Sequence, residues 1–119
     1  AFAEIQARMG AITSPDPDVT VEVEAGPIRP LFKAHEGTME LLEVAQRVAR
    51  DVGLDLDHGQ FGGGSDGNFT GALGVPTLDG LGVVGNGVHT KQEHLLVSSL
   101  APRAMLFAGL VAALSDRNV

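Results

Sequence analysis

The 119 residues carry 44% hydrophobic and 19% charged side chains, a formal net charge of −7 and no cysteine. That length suits one domain with a modest core, and a mean hydropathy of +0.15 excludes a disordered acidic tail. The acidic balance, with five Phe and neither Trp nor Tyr, argues against a nucleic-acid partner, because phosphates are repelled and bases find few stacking platforms.

Uninterrupted apolar stretches fall short of a bilayer span, so no membrane partner is expected. Without cysteine there are no disulfides or thiolate metal sites. The compartment stays open on this basis, with the cytoplasm favoured over the periplasm.

The chain begins AFAEIQARMG, which reads like the last turns of a helix already under way, as in a fragment. Phe2, Ile5 and Met9 recur at helical spacing and Gly10 is the expected stop. The SPDPD run from Ser14 to Asp18 marks a loop. Val19 to Glu24 alternates strictly, which predicts a strand with Glu22 and Glu24 on its solvent face. A helix, a turn and one strand cannot close a sheet, so this leading unit is expected to need partners. The GPIRP stretch reads as a crossover.

Thr38 to Val52 is the clearest predicted helix, with Thr38 as N-cap and Gly53 as stop. Its expected buried face is Leu41, Leu42, Ala45, Val48, Ala49 and Val52. A short strand is expected at Leu54 to His58, and a second helix over Gly67 to Leu73 capped by Asp66. Val75 to Leu78 reads as another brief strand. The closing helix is expected from about Ser99 to Leu114, capped by Ser98 or Ser99 with Pro102 in its first turn. So apolar a helix is expected to lie against a sheet. The alternation of helix and strand predicts an α/β layered fold.

Glycine is densest from Phe61 to Thr90, where backbone must turn or approach something closely. The GGGSDG run fits GxGxxG, yet no acidic residue stands at ribose distance and Asp66 sets a carboxylate beside the anion position. Tight turns explain these glycines better than a phosphate loop.

Of four histidines, His35 and His58 read as solvated and His94 as a surface edge, while His89 sits among glycines at the end of the run. It reads either as a metal ligand or as an ordinary loop histidine, and it cannot build a zinc site alone. Arg29 has no sequence-near acid. It is either an exposed surface arginine or a bidentate clamp for a carboxylate or phosphate. Ser65 has no visible base partner, which weakens a nucleophile role. The Asn68-Phe69-Thr70 sequon reads as coincidental.

Several ordered motifs between Gly62 and Val111 occur together: GGGSD, GVPTLDGLG, GNGVH, and PR opening the last helix. In this combination the chain resembles the C-terminal end of the two-zinc exopeptidases and deacylases. That family includes glutamate carboxypeptidase, acetylornithine deacetylase and succinyl-diaminopimelate desuccinylase. The resemblance implies an α/β catalytic domain (a mixed sheet with flanking helices) over residues 27–119, preceded by the last helix and strand of an α+β lid or dimerisation domain over residues 1–26.

It further implies that His89 is a zinc ligand, that Arg29 holds the free carboxylate of a small amino-acid or peptide-like substrate, and that Gly62, Gly63 and Gly64 line the pocket. Two zinc ions, with a glutamate base, would activate water against an amide bond in such a protein. Phe61 departs from the Ser or Thr common before the triplet and implies a shift toward apolar substrates. The family's H-x-D motif, Glu-Glu pair and lid histidine have no counterpart here, so the chain alone is expected to be inactive. The lid further implies a homo-oligomer. The competing reading is a non-catalytic module that oligomerises through its exposed strand and apolar helix.

Overall fold

A computed structural model describes residues 2–26 and 28–116. Ala1, Pro27 and residues 117–119 lie outside the described residues, as does the Phe2 side chain. The expected boundary between residues 1–26 and 27–119 therefore falls at an undescribed position.

Helix α1 spans Phe2–Gly10, with Glu4 in its first turn and Arg8 in its last, the charge order a helix dipole favours. Ile5 and Met9 nonetheless stay about half exposed, at 51% and 49%, so its apolar face lacks a cover. In the loop that follows, Ser14 Oγ accepts from the Asp16 N–H and Asp16 Oδ1 from the Asp18 N–H, both at 3.0 Å. Two successive side-chain turns thus build the SPDPD loop.

The strand expected over residues 19–24 does not form. Its alternation defines a face, but a strand also needs a ladder, and no described segment pairs with it. Val19, Val21 and Val23 remain exposed. The strands expected at residues 54–58 and 75–78 are absent for the same reason.

Helix α2 spans Glu36–Asp51 and begins two residues before the expected start. His35 takes the N-cap position without a side-chain cap bond. Thr38 is instead buried inside the first turn, with no partner for Oγ1. The C-terminus follows expectation: Gly53 adopts φ +73°, its N–H reaches the Arg50 carbonyl at 3.0 Å, and the Leu54 N–H reaches that of Ala49 at 2.8 Å. That pair of bonds is a Schellman motif, for which glycine is the favoured residue.

Helix α3 spans Gly67–Ala72. Strands β1, Gly85–Asn86, and β2, His94–Leu95, form an antiparallel hairpin with Gly85 opposite Leu95 and Asn86 opposite His94. A 3₁₀ turn at Val97–Ser99 leads into helix α4, Leu100–Ser115. Ser99 holds the expected N-cap position of α4 but makes no side-chain cap bond. Its Oγ donates to the Leu96 carbonyl at 2.6 Å and accepts from the Val84 N–H at 3.0 Å, tying the hairpin to the helix start.

The core is the seam between α2 and α4. Leu42, Val44, Ala45 and Ala49 from α2 are buried, as are Leu106 and Leu110 from α4. Val44, absent from the expected face, is 1% exposed. Leu56, Leu78 and Leu81 pack onto this seam from the loops, and Gln46 Nε2 holds the Leu56 carbonyl at 3.0 Å.

The architecture is mixed helix and sheet, but the described sheet is only this two-stranded hairpin. The expectation that α4 lies against a sheet is therefore corrected: α4 packs on α2, leaving Met105, Phe107 and Val111 exposed. By length and composition alone Val97–Ser115, with a hydropathy of 1.6, is long and apolar enough to cross a membrane. The expectation concerned uninterrupted apolar runs, and this segment is interrupted by Ser98, Ser99 and Arg103. The Cα radius of gyration is 20.1 Å, against about 13–14 Å for a compact chain of this length.

Candidate functional site

Two segments far apart in sequence meet around α3. Asn68 Nδ2 donates to the Pro30 carbonyl at 2.8 Å, and the Phe32 ring lies directly on Gly71. The ring buries Gly71, and any β-carbon there would collide with it. Residues 28–32 are thereby laid along α3.

Asp66 holds the expected N-cap position of α3 but makes no side-chain cap bond, and Ser65 supplies one in its place. Ser65 Oγ accepts from the Gly67 N–H at 3.1 Å, while Asn68 Oδ1 accepts from the Ser65 N–H at 2.9 Å. This is the reciprocal logic of a capping box. It occupies the Ser65 and Gly67 N–H groups and gives Ser65 a structural task. A phosphate loop would need those N–H groups free.

Arg29 lands on the glycine loop. A β-carbon on Gly64 would stand 2.7 Å from Arg29 Cδ and 2.9 Å from Nε, so the arginine stem rests on bare backbone. Arg29 Nη1 donates to Asp66 Oδ1 at 3.2 Å, and Cζ stands 5.2 Å from the Phe69 ring centroid. The acid missing from the local sequence is supplied from 37 residues away. The Arg29 side chain is 41% exposed and that of Asp66 fully exposed, so water screens the pair.

Arg29 and Gly64 are thus brought together. Gly63 turns the loop at φ +131°, while Gly62 and Phe61 stay exposed, the Phe61 ring at 90%. Arg29 also lines an open groove of about 410 Å³ with Met9, Val23, Glu24 and Ile28.

His89 lies in the turn that follows β1. The Thr90 N–H and Oγ1 both donate to the Gly87 carbonyl, at 3.0 and 2.7 Å. Among the described residues His89 is the one non-glycine with positive φ, +64°, and its side chain is exposed. Histidine visits that region more readily than most residues, and strained backbone clusters at functional sites. A second groove of about 440 Å³ lies at this hairpin, lined by Val83, Asn86, Val88, Glu93, His94 and Leu95. Neither groove contains both Arg29 and His89.

No group of three or more His, Asp or Glu side chains suited to a metal occurs among the described residues. One imidazole provides a single ligand, so these residues do not by themselves fit a zinc ion. Of the other histidines, His58 is exposed as expected, and so is His94, whose Nδ1 lies 2.8 Å from the Gln92 carbonyl oxygen. His35 is a correction: its ring packs beside Gly37, with Nε2 buried and unpartnered.

Sequence reasoning missed Asp66 and Phe69 as partners of Arg29, and Asn68 as the link between the two segments. No local spacing signals a contact across 37 or 38 residues.

Residues 4–113 match the model of peptidase family M20/M25/M40. Carboxypeptidase G2 of Pseudomonas sp. (strain RS-16) is 33% identical over 113 residues, covering 93% of this chain and 27% of that protein. The uncharacterized protein YqjE of Bacillus subtilis (strain 168) is 31% identical over 111 residues, again 93% of this chain and 27% of its own length. The chain thus spans about a quarter of the curated relatives it matches. No solved structure gives a significant match.

Proposed function

The chain belongs to peptidase family M20/M25/M40, and from that premise we propose that it forms part of a metal-dependent hydrolase. That enzyme cleaves the amide bond of a C-terminal amino acid or an N-acyl amino acid. The observation that carries this reading is the seat of Arg29: a guanidinium resting on Gly64, over the Phe69 ring, with a carboxylate already on Nη1. A guanidinium so held is suited to a substrate carboxylate, which takes its parallel N–H donors in place of Asp66.

Gly64 contributes closeness, because only bare backbone lets the arginine stem lie this near the loop. Gly62 and Gly63 continue the same wall, and exposed Phe61 beside them favours apolar substrate groups. The name of one relative, Carboxypeptidase G2, supports a peptide-like substrate with a free carboxylate.

His89 is the residue offered toward a metal, with zinc as the expected ion and its remaining ligands supplied from outside this chain. When bound in a complete site, zinc supplies Lewis acidity toward a carbonyl and an activated water. This chain's own residues bind and orient the carboxylate end. The chain alone is proposed to be inactive, since the described residues hold no complete metal site. Uncovered apolar side chains on α4 and at Val19, Val21 and Val23 support a homo-oligomer.

Two measurements test the reading. The purified chain should bind N-acetylglycine but not its amide, and Arg29→Lys should weaken that binding. With added zinc it should hydrolyse no N-acyl amino acid. Hydrolysis unaffected by His89→Ala overturns the metal assignment, and equal binding of acid and amide overturns the carboxylate site.

A further inference from the structure

Arg29 reaches the glycine loop only if residues 28–32 are held against α3, and one polar side chain bridges those segments. Asn68 accepts from the Ser65 N–H at 2.9 Å through Oδ1 and donates to the Pro30 carbonyl at 2.8 Å through Nδ2. The partners fix the orientation of the amide. A backbone N–H requires the oxygen and a carbonyl requires the nitrogen, so the reverse orientation loses both bonds. The side chain is part-buried, so water competes poorly for either end.

We propose that Asn68 is a positioning residue for the carboxylate site: its amide clasps the Arg29–Phe32 segment to the glycine loop and so sets where the guanidinium stands. This deepens the proposed function and rests on that reading for its link to substrate. The bond on Pro30 lies one residue from Arg29, and the bond on Ser65 lies one residue from Gly64. The clasp therefore spans the two residues that touch. The Arg29–Asp66 pair cannot perform this task, because it is long and screened by solvent. Phe32 on Gly71 anchors the far end of the segment, two residues beyond the Pro30 bond.

Of the side chains with this reach, the amide offers an acceptor for Ser65 and a donor for Pro30 at once. Aspartate accepts from Ser65 but meets the Pro30 carbonyl with a second acceptor. Alanine makes neither bond. The double engagement also makes the Asn68-Phe69-Thr70 sequon structural, with its amide nitrogen committed to Pro30.

The test uses the full 119-residue chain, ¹⁵N-labelled, and needs no ligand for its first readout. Arg29 stands over Phe69, so its Nε–Hε resonance carries a ring-current shift in the wild type. Asn68→Ala and Asn68→Asp should move that resonance toward its random-coil position while helix content by circular dichroism is retained. N-acetylglycine binding should weaken about 5-fold or more in both, as expected for losing one or two hydrogen bonds.

An unmoved Arg29 resonance in Asn68→Ala overturns the clasp. So does loss of helix content in both variants, which makes the role purely structural. If Asn68→Ala alone loses helix, Asn68→Asp decides, because it keeps the acceptor for Ser65. Absence of ligand binding by the wild type, or binding that Arg29→Lys does not weaken, counts against the proposed function. The free-chain resonance still decides the clasp in that case.

Discussion

Replacing Gly64 by alanine separates close approach from backbone freedom at the candidate site. Gly64 has no left-handed φ, so alanine fits the backbone there. Its β-carbon would stand 2.7 Å from Arg29 Cδ and 2.9 Å from Nε, whereas ordinary contact lies at 3.4–4 Å. The arginine stem must retreat by about 1 Å, and the 3.2 Å bond from Nη1 to Asp66 is already at the long limit for this donor.

The fold should hardly notice. Restricting the unfolded chain stabilises by about 0.4–1 kcal/mol when the native backbone accepts alanine. Gly63→Ala is the opposite case: φ is +131° with open space around it, so strain of about 1–3 kcal/mol appears with no side-chain clash. That is a fall of roughly 4 °C or more in Tm.

Thermal melts and the Arg29 Nε–Hε resonance are the paired assays, with N-acetylglycine titration as the third. Gly64→Ala should keep its Tm, displace Arg29 and weaken carboxylate binding about 10-fold, as for loss of a charge-assisted bond. An undisturbed Arg29 in Gly64→Ala refutes the close-approach argument. Equal damage to Arg29 binding from Gly63→Ala refutes the distinction between the two glycines.

Three further outcomes follow from packing and strain. Leu106→Ala, at a side chain 0% exposed in the α2–α4 seam, should cost about 2–5 kcal/mol, read from urea unfolding. Gly71→Ala should expel the Phe32 ring from α3 and cost about 1–3 kcal/mol by overpacking, visible as altered Phe32 resonances and a lower urea midpoint. His89→Gly should relieve the cost of a side chain at φ +64° and stabilise by about 1 kcal/mol, while removing any weak zinc binding seen by calorimetry. A loss of stability in His89→Gly would show that the imidazole is part of the packing.

The sequence by itself determined the elements whose signals are local. The helical periodicity of residues 38–52, with Gly53 at its end, located α2 to within two residues and named most of its buried face. The SPDPD turns, α1 and the extent of α4 were legible for the same reason: caps, turns and amphipathic stripes act over a few residues. Ordered motifs around the glycine run were specific enough to point to the family that residues 4–113 match.

Only the tertiary structure decided what depends on a neighbour. Val19 to Glu24 has the pattern of a strand but no ladder partner, and α4 has the composition of a fully covered helix with one face covered. Arg29 had no acid within reach along the chain and found Asp66 through space. Asn68, read as a coincidental sequon, became the link that brings them together. Periodicity records which face a residue occupies. It carries no information about which distant segment meets that face, because such contacts are set by packing across the chain.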